Sequence, residues 1–428
     1  MNTPTATSER PSIAIVGGGI AGLSAAFHLQ SRFRVTLFEA QSKLGGHTDT
    51  HEFDIDGAVR AVDSGFIVFC RRYYPHFSAM LEQLAVPSQA TTMSFSAHNL
   101  HSGVMYNATS LNRLFCQRRN LVSPRFYRML LDLVRFYTRA PAVLKTDDHQ
   151  TSVADYLRQH HYSTAFSDDH LLPMISALWS ATPQRVAEFP IRHLVEFLHN
   201  HGMMNLWQRP DWEVVKGGSE RYVDALREQL DCHLQTGSEV RRIERQPEGV
   251  QLETDAHQSR FDAVVIATHA DQALILLADP SPAEQSILSA IPFESNHVLV
   301  HQDESVMPPL KSAWACWNTE VPNDVHPQSQ YCCTAHYWMN ELQGLEMAEN
   351  VFVSLNSRDQ IDASKVLAER HYSHPIFSAQ SVTAIRQLPE INGRQRTAYA
   401  GAFWGWGFHE DGARSGWQAA QQIERMFR

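Results

Sequence analysis

The chain has 428 residues, 43% of them hydrophobic, enough for one large or two interleaved domains with a sizeable core. Its 36 Lys and Arg against 46 Asp and Glu give a formal charge of -10, which argues against a nucleic-acid partner held by phosphate neutralisation. The polar start, MNTPTATSERPS, lacks the basic and apolar regions of a signal peptide, and no segment reaches the ~18 apolar residues of a membrane span, so a cytoplasmic protein is expected.

Residues 12–40, SIAIVGGGIAGLSAAFHLQSRFRVTLFEA, read as strand, turn, helix and strand. The run from Ile13 to Val16 is a short buried strand, Gly17-x-Gly19-x-x-Gly22 is the turn, and Ala25 and Ala26 let the following helix pack closely on a sheet. Each glycine has a physical task. Gly17 makes the tight turn, Gly19 lets the backbone approach a pyrophosphate, and Gly22 permits helix–strand contact, with phosphates at the helix N-terminus. The next strand ends in Glu39, placed to accept hydrogen bonds from ribose hydroxyls. A lone G-x-G-x-x-G is weak, but strand, turn, helix, strand and acid in this order predict a dinucleotide site. The order does not choose between NAD and FAD.

VDSGFIVF, from Val62 to Phe69, reads as a strand with Gly65 inside it, a sign of close backbone approach to a ligand. From about Tyr74 to Trp212 the pattern becomes largely helical. In SPRFYRMLLDLVRFYTRA, Ser123 is a cap and Pro124 opens the first turn. Phe126, Met129, Leu130, Leu133, Val134 and Tyr137 are predicted to form the apolar face. Arg118, Arg119, Arg125, Arg128, Arg135 and Arg139 make this region basic within an acidic chain. A solvated helix face is the first reading, and a membrane-surface contact stays open.

VVKGGSERYVDAL is a strand, a glycine turn and a helix; TGSEVRRIERQPEGVQLETD is a hairpin unit; FDAVVIATHADQAL carries another buried strand. After Ile291, NHVLVHQD, SAWACWN, TAHYWMN and VFVSLN suggest a second sheet. The chain closes with a strand, the loop GAFWGWGFHEDG, and an amphipathic helix expected to begin near residues 411–413. Trp404, Trp406 and Phe408 in this loop are candidates for lining a substrate cavity, where flat side chains suit apolar chains. His409 and Glu410 are the candidates for acid–base work, and Asp411 suits a helix cap. Trp179, Trp207, Trp212, Trp314, Trp317 and Trp338 are expected mostly in the core.

Cys70, Cys116, Cys232, Cys316, Cys332 and Cys333 show no C-x-x-C spacing, so reduced thiols rather than disulfides or a zinc site are expected. Of the 23 histidines, pairs such as His160 with His161 and His199 with His201 lack a carboxylate or cysteine at ligand spacing, and no metal site is expected.

This succession of pieces resembles the FAD-dependent amine-oxidase superfamily, which takes in amine oxidases, protoporphyrinogen oxidases and phytoene desaturases. In VDSGFIVF, ALWSATP, FLHNHGMM, VVKGGS, HYWMN and FWGWGFHEDG it is similar to a bacterial group of NAD/FAD-binding oxidoreductases associated with cyclopropane-fatty-acid-synthase-like methyltransferases. The resemblance implies an α/β fold with a Rossmann-type FAD-binding domain built from discontinuous segments, residues 1–73, 213–290 and 386–428. An interleaved α+β substrate domain takes residues 74–212, mostly helical, and 291–385, mostly sheet.

It also implies FAD, bound without a covalent link, since no cysteine falls in the C-terminal glycine loop. Lys43, Gly45, Gly46 and His47 stand where a basic residue and a glycine pair run along the pyrophosphate, although arginine is more usual at Lys43 and His47. Gly65 and Phe66 are expected near the flavin ring, the Val240 backbone at the adenine, and Gly401 and Gly412 at the pyrophosphate and ribitol. Ile20, Ala21, Ala40, Thr48, Ala402, His409 and Asp411 complete the expected contacts. Ala402 and Phe403 occupy the place of a ribitol-binding acid, a role left to Glu410 or Asp411.

The reaction implied is hydride transfer from substrate to flavin N5, with dehydrogenation of a lipid or acyl chain as the first reading. An amine oxidase is the second, weakened because no lysine falls on a substrate-domain strand; Lys311 lies in a Pro-rich loop. A non-catalytic FAD-containing partner of a lipid methyltransferase is the third. The expected partners are a small-molecule or lipid substrate, a lipid methyltransferase, and the inner face of a membrane touched peripherally.

Overall fold

The computed structural model describes residues 10–205, 210–323 and 333–428; Trp207 and Cys332 lie outside the described residues. Short β-rich runs make five parallel strands, side by side in the order His233–Gln235, Arg34–Phe38, Ser12–Val16, Ala263–Ile266 and Thr397–Tyr399. Ile13 stands opposite both Val35 and Ala263. Strand alternation sends Ile13, Ile15, Val35, Leu37, Ala263 and Val265 to one face and Ala14, Val16, Phe38, Val264 and Ile266 to the other. Both faces are apolar because both are covered.

The first face carries helices Ile20–Leu29 and His409–Met426, which meet through Ala25, Ala26, Ala419 and Ala420, all without solvent exposure. A side chain at Gly416 would collide with the Ala21 carbonyl, so small residues set the spacing of this helix pair. The second face carries the antiparallel strands Val240–Gln246, Gly249–Thr254 and Gln258–Phe261.

A second, mixed sheet runs in the order Val366–Pro375, Phe293–His301, Phe352–Leu355, Thr334–Trp338, Trp317–Val321, Phe95–Asn99 and Met105–Asn107. Helices Pro124–Arg139, Leu172–Trp179 and Ile191–Asn200 share a core with its Phe95, Trp317 and Ala335.

Three local readings change. Residues 88–107, placed in a largely helical stretch, supply the strands Ser88–Thr91, Phe95–Asn99 and Met105–Asn107. Phe95–Asn99 pairs in parallel with Trp317–Val321, a partner too remote for local pattern to announce. Helix Pro75–Gln83 buries Phe77, Met80 and Leu81 in the core of the five-stranded sheet, although it follows the boundary drawn after residue 73. In helix Pro124–Arg139 the Ser123 hydroxyl does accept the Phe126 amide, but Val134 is exposed while Phe126, Met129, Asp132 and Phe136 are buried. Asp132 tolerates burial because the Ser163 amide and hydroxyl donate to it and Arg128 and Arg135 pair with it. Among the described residues no helix is long and apolar enough to cross a membrane.

Candidate functional site

The site lies at the C-terminal ends of the parallel strands, where the chain turns from Val16 into helix Ile20–Leu29. Gly17 adopts φ +108°, its amide donates to the Phe38 carbonyl at 2.8 Å, and a Cβ there would stand 2.7 Å from the Ala267 oxygen. A Cβ on Gly22 would overlap the Gly17 oxygen. Gly19 caps the helix with no side-chain bond, leaving the first-turn amides of Ile20, Ala21 and Gly22 directed toward the mouth of the turn. Glu39 closes this edge: its carboxylate accepts the Gly18 amide at 2.7 Å and the Gln41 amide at 2.8 Å. Ala40 beyond it is exposed, and Val240 is buried beneath the same edge with Phe38.

The doublet Gly45-Gly46 folds back onto the turn. The Gly45 amide donates to the Gly18 carbonyl at 2.9 Å, both glycines have positive φ, and a Cβ on Gly46 would lie 3.1 Å from Gly19 Cα. Lys43 is engaged with Asp49 at 2.6 Å and with Glu220 at 3.6 Å. Asp49 also receives Arg370 at 2.7 Å and the Tyr372 hydroxyl at 3.0 Å. Burial alone pushes the Asp49 carboxyl up, but the bonds from Lys43 and Arg370 outweigh it and hold it below its usual range. At His47 any electrostatic role depends on protonation. Burial, with His374 and His269 beside it, drives its pKa down to about 3, so the ring is neutral.

Gly65 and Phe66 sit against His47 through the backbone: the Phe66 amide donates to the His47 carbonyl at 2.8 Å, and a Cβ on Gly65 would overlap the same oxygen. The Phe66 ring stacks on His409, centroids 3.6 Å apart and planes 6° off parallel. This contact brings the N-terminal half of the site to the C-terminal loop.

In that loop the Gly401 amide donates to the Ser415 hydroxyl at 2.9 Å, half-buried Ala402 follows, and helix His409–Met426 begins at His409, slightly earlier than expected. A Cβ on Gly412 would stand 2.5 Å from Ile20 Cγ2 and 3.8 Å from the Ala21 nitrogen, so the N-termini of the two helices converge. His409 is buried; its Nε2 meets the Tyr222 hydroxyl at 2.8 Å, which meets the Thr48 hydroxyl at 2.6 Å. Burial, then His47, holds His409 well below the usual histidine range.

Glu410 turns the other way. Its two oxygens accept the His76 and Phe77 amides at 3.1 and 3.0 Å, capping helix Pro75–Gln83, and burial raises its pKa to about 7 against those bonds. Asp411 accepts the Trp406 and Phe408 amides, each at 3.0 Å, and pairs with Arg414 at 2.6 Å. It therefore closes its own loop as a cap. Burial raises its pKa, with Arg414 opposing.

Trp404, Trp406 and Phe408 do not share one space. Trp404 and Phe403 enter the core beneath the parallel sheet, whereas Trp406 and Phe408 join Trp179, Phe197, His193 and His201 on the side of the second sheet. The intervening Gly405 lets successive rings turn to opposite sides of the loop. The Trp179 Nε1–H donates to the Trp406 carbonyl at 3.0 Å.

Sequence reading missed Tyr222, which a helix pattern hides, and Asp63. The Asp63 carboxylate accepts the Ser219 amide and hydroxyl, each at 2.9 Å, and Gln343 Nε2–H at 2.8 Å, tying three distant segments together. Burial pushes it up to about 6 against those bonds. Its signal was an acid beside Gly65 in an otherwise apolar strand. Although no metal ligands were expected, His297, Glu369 and His371 have donor atoms within 4.8 Å of one another, with Glu369 and His371 exposed. His297 lies 2.6 Å from Glu369, away from the dinucleotide turn on the second sheet.

These residues fit a dinucleotide. At Gly17, Gly22 and Gly65 backbone carbonyls leave no room for a side chain, so the chain turns tightly there; two helix N-termini converge, and His47 Nε2 is buried with no hydrogen-bond partner.

Comparison with known proteins agrees. A family model described as flavin containing amine oxidoreductase matches residues 20–370. The chain is 29% identical over 287 residues to a carotenoid phi-ring synthase of Streptomyces griseus, covering 61% of this chain and 53% of that protein. It is 23% identical over 320 residues to an L-amino-acid oxidase of Siganus canaliculatus, covering 67% and 56%. The chain thus spans about half the length of these curated relatives. Among solved structures, a fatty acid isomerase from P. acnes superposes with TM-score 0.70 at 16% identity, over 99% of this chain and 100% of that one. A putative protoporphyrinogen oxidase from Exiguobacterium superposes with TM-score 0.71 at 16% identity, over 98% and 99%. FAD is accordingly the cofactor, and the chain belongs to the flavin-containing amine oxidoreductase family.

Proposed function

We propose that this FAD-dependent oxidoreductase dehydrogenates the hydrocarbon chain of a lipid or fatty acyl substrate. The observation that carries this reading is the uncharged aromatic cluster packed beside the C-terminal loop, called here the aromatic wall. Trp179 and Phe197 lie 4.7 Å apart, Phe197 and Phe408 4.8 Å, and His193 and Phe377 4.8 Å, ring centre to ring centre. The two histidines in the wall are neutral: burial lowers His193 to about 3, helped by Arg386, and His201 to about 4 against its bond to the Phe197 carbonyl. An amine arrives as a cation and calls for an acidic anchor as well as rings. The nearest carboxylates in the loop, Glu410 and Asp411, are instead engaged by backbone amides and Arg414. The relatives' names, a carotenoid-ring synthase on one hand and an amino-acid oxidase on the other, do not choose between these readings.

FAD supplies the acceptance of hydride when bound. The wall's part is to orient an apolar chain and keep water away. Glu410 is occupied as a cap, and His409, held well below the usual histidine range by burial and already bonded through Nε2 to Tyr222 and on to Thr48, orders the loop and is not poised as the base. Anaerobic mixing tests the reading. Bleaching of the oxidised flavin by a fatty acyl phospholipid and not by amines is expected; bleaching by amines alone overturns it in favour of an amine oxidase.

A further inference from the structure

Among the described residues, nine large hydrophobic side chains are exposed, and six of them fall between residues 111 and 134: Leu111, Leu121, Val122, Tyr127, Leu131 and Val134. Val122, Leu111 and Leu131 are 83%, 77% and 68% exposed. Tyr127, Leu131 and Val134 follow one another at i, i+4 and i+7 on helix Pro124–Arg139, so they form a single stripe opposite its buried Phe126, Met129 and Phe136. The turn before the helix extends the stripe: the Tyr127 hydroxyl donates to the Leu121 carbonyl at 3.1 Å. Arg118 Nη2–H donates to Asn112 beside Leu111 at 2.8 Å, which draws the short helix Leu111–Leu114 into the same patch.

The charge of this segment is opposite to that of the chain, although Arg125 is paired with Asp169 from outside it and also feels Asp168. Residues 101–145 contain seven arginines and one lysine against one acid, Asp132, a local balance of +7 within a total of -10. Asp132 is buried beneath Arg128 and Arg135. Arg128, Arg135 and Arg139, at i, i+7 and i+11, line one flank of the apolar stripe. Arg113, Arg118 and Arg139 have no ion-pair partner among the described residues.

We propose that this face docks the protein on a lipid bilayer bearing anionic headgroups, with the stripe at the acyl boundary and the arginines among the phosphates. An apolar stripe edged by cations matches that boundary in both chemistry and sign. A second copy of the chain does not match it, because a two-fold contact sets this patch against itself and brings arginine to arginine. The inner side of the same helical layer carries Trp179 and Phe197, so docking sets the aromatic wall behind the lipid-facing surface. The inference does not rest on the acyl-chain reading, since binding needs no turnover.

Co-sedimentation of the holoprotein with vesicles of phosphatidylcholine plus phosphatidylglycerol, and with phosphatidylcholine alone, tests it. Binding to the anionic vesicles is expected, weakened by high salt and at least about tenfold weaker both in Val122→Asp/Leu131→Asp and in Arg113→Gln/Arg118→Gln/Arg139→Gln. Flavin absorbance and Tm of both variants are expected to match the parent. Absence of binding to anionic vesicles, or equal binding by correctly folded variants, overturns the proposal. So does gel filtration showing a parent dimer that Val122→Asp/Leu131→Asp converts to monomer, which makes the face a contact between copies.

Discussion

The two halves of the dinucleotide site use glycine for different reasons. In the N-terminal turn the obstacle to a side chain is backbone: Gly17 and Gly22 face the carbonyls of Ala267 and Gly17, and Gly65 faces that of His47. In the C-terminal loop the obstacle is other side chains, the Asp411 carboxylate and Arg414 at Gly405 and the Phe403 ring at Gly401. Backbone cannot move aside without moving the sheet, whereas a side chain can rotate away at the loss of its own bonds. The first half is therefore rigid by construction and the second by a set of hydrogen bonds.

Gly22→Ala separates the two halves most sharply. Its methyl overlaps the Gly17 oxygen, so the turn must open or helix Ile20–Leu29 must leave the sheet. Destabilisation of at least about 3 kcal/mol with loss of bound FAD is expected, read by urea unfolding and by flavin absorbance. Retention of full FAD occupancy contradicts a backbone-locked turn.

That contrast also explains what the sequence disclosed. Gly17 and Gly22 were legible because the turn itself demands them, through a positive φ at one and the Gly17 carbonyl at the other, and the apolar runs of the parallel strands were legible because both faces of that sheet are buried. His409, Glu410 and Asp411 were visible as a polar cluster, and Asp411 was legible as a cap because its partners are local, but the tasks of the other two depend on residues 187 and 333 positions away. Glu410 caps a helix that starts at Pro75, and His409 bonds a tyrosine from helix Glu220–Gln229. The neutral state of His47 was illegible for the same reason: burial first, and then His374 and His269 from two other segments, lower its pKa. Val134 was read onto the apolar face but joins Tyr127 and Leu131 in an exposed stripe, because helical periodicity gives two apolar arcs and does not say which faces the core.

Glu410→Gln probes the second half through pH. With a folded pKa of about 7 above an ordinary 4.5, the folded protein keeps a proton that the unfolded chain releases, so this group makes stability fall as pH rises from 4.5 to 7. The buried neutral histidines, whose folded values lie below 6.5, act in the opposite direction in the same range, so the quantity to compare is variant minus parent. That difference is expected to move in favour of the variant by on the order of 3 kcal/mol between pH 4.5 and 7. A difference that stays flat across this range means that Glu410 ionises normally.

Gly405→Ala has a smaller expected effect. The new methyl displaces the Asp411 carboxylate from the Trp406 and Phe408 amides and from Arg414, at about 2 kcal/mol, with weakened but measurable FAD binding. Pairing it with Asp411→Asn gives less than the sum of the two effects if the carboxylate is what the methyl displaces. Full additivity locates the strain elsewhere in the loop.

Gly407→Ala is the mildest and the most discriminating. Gly407 has φ +88°, yet its Cβ would meet only Pro375 Cγ at 3.4 Å and the Phe377 ring at 3.8 Å and beyond, ordinary contact distances. The cost is the left-handed backbone alone, about 1 kcal/mol, and FAD occupancy is expected to stay at the parent level. Because Phe377 belongs to the aromatic wall, the added methyl touches the proposed substrate side and not the cofactor side. A raised KM with unchanged FAD content is therefore the expected kinetic signature. Loss of FAD from so small a change shows that the C-terminal loop is as intolerant as the N-terminal turn, and the distinction between backbone-locked and hydrogen-bonded halves then fails.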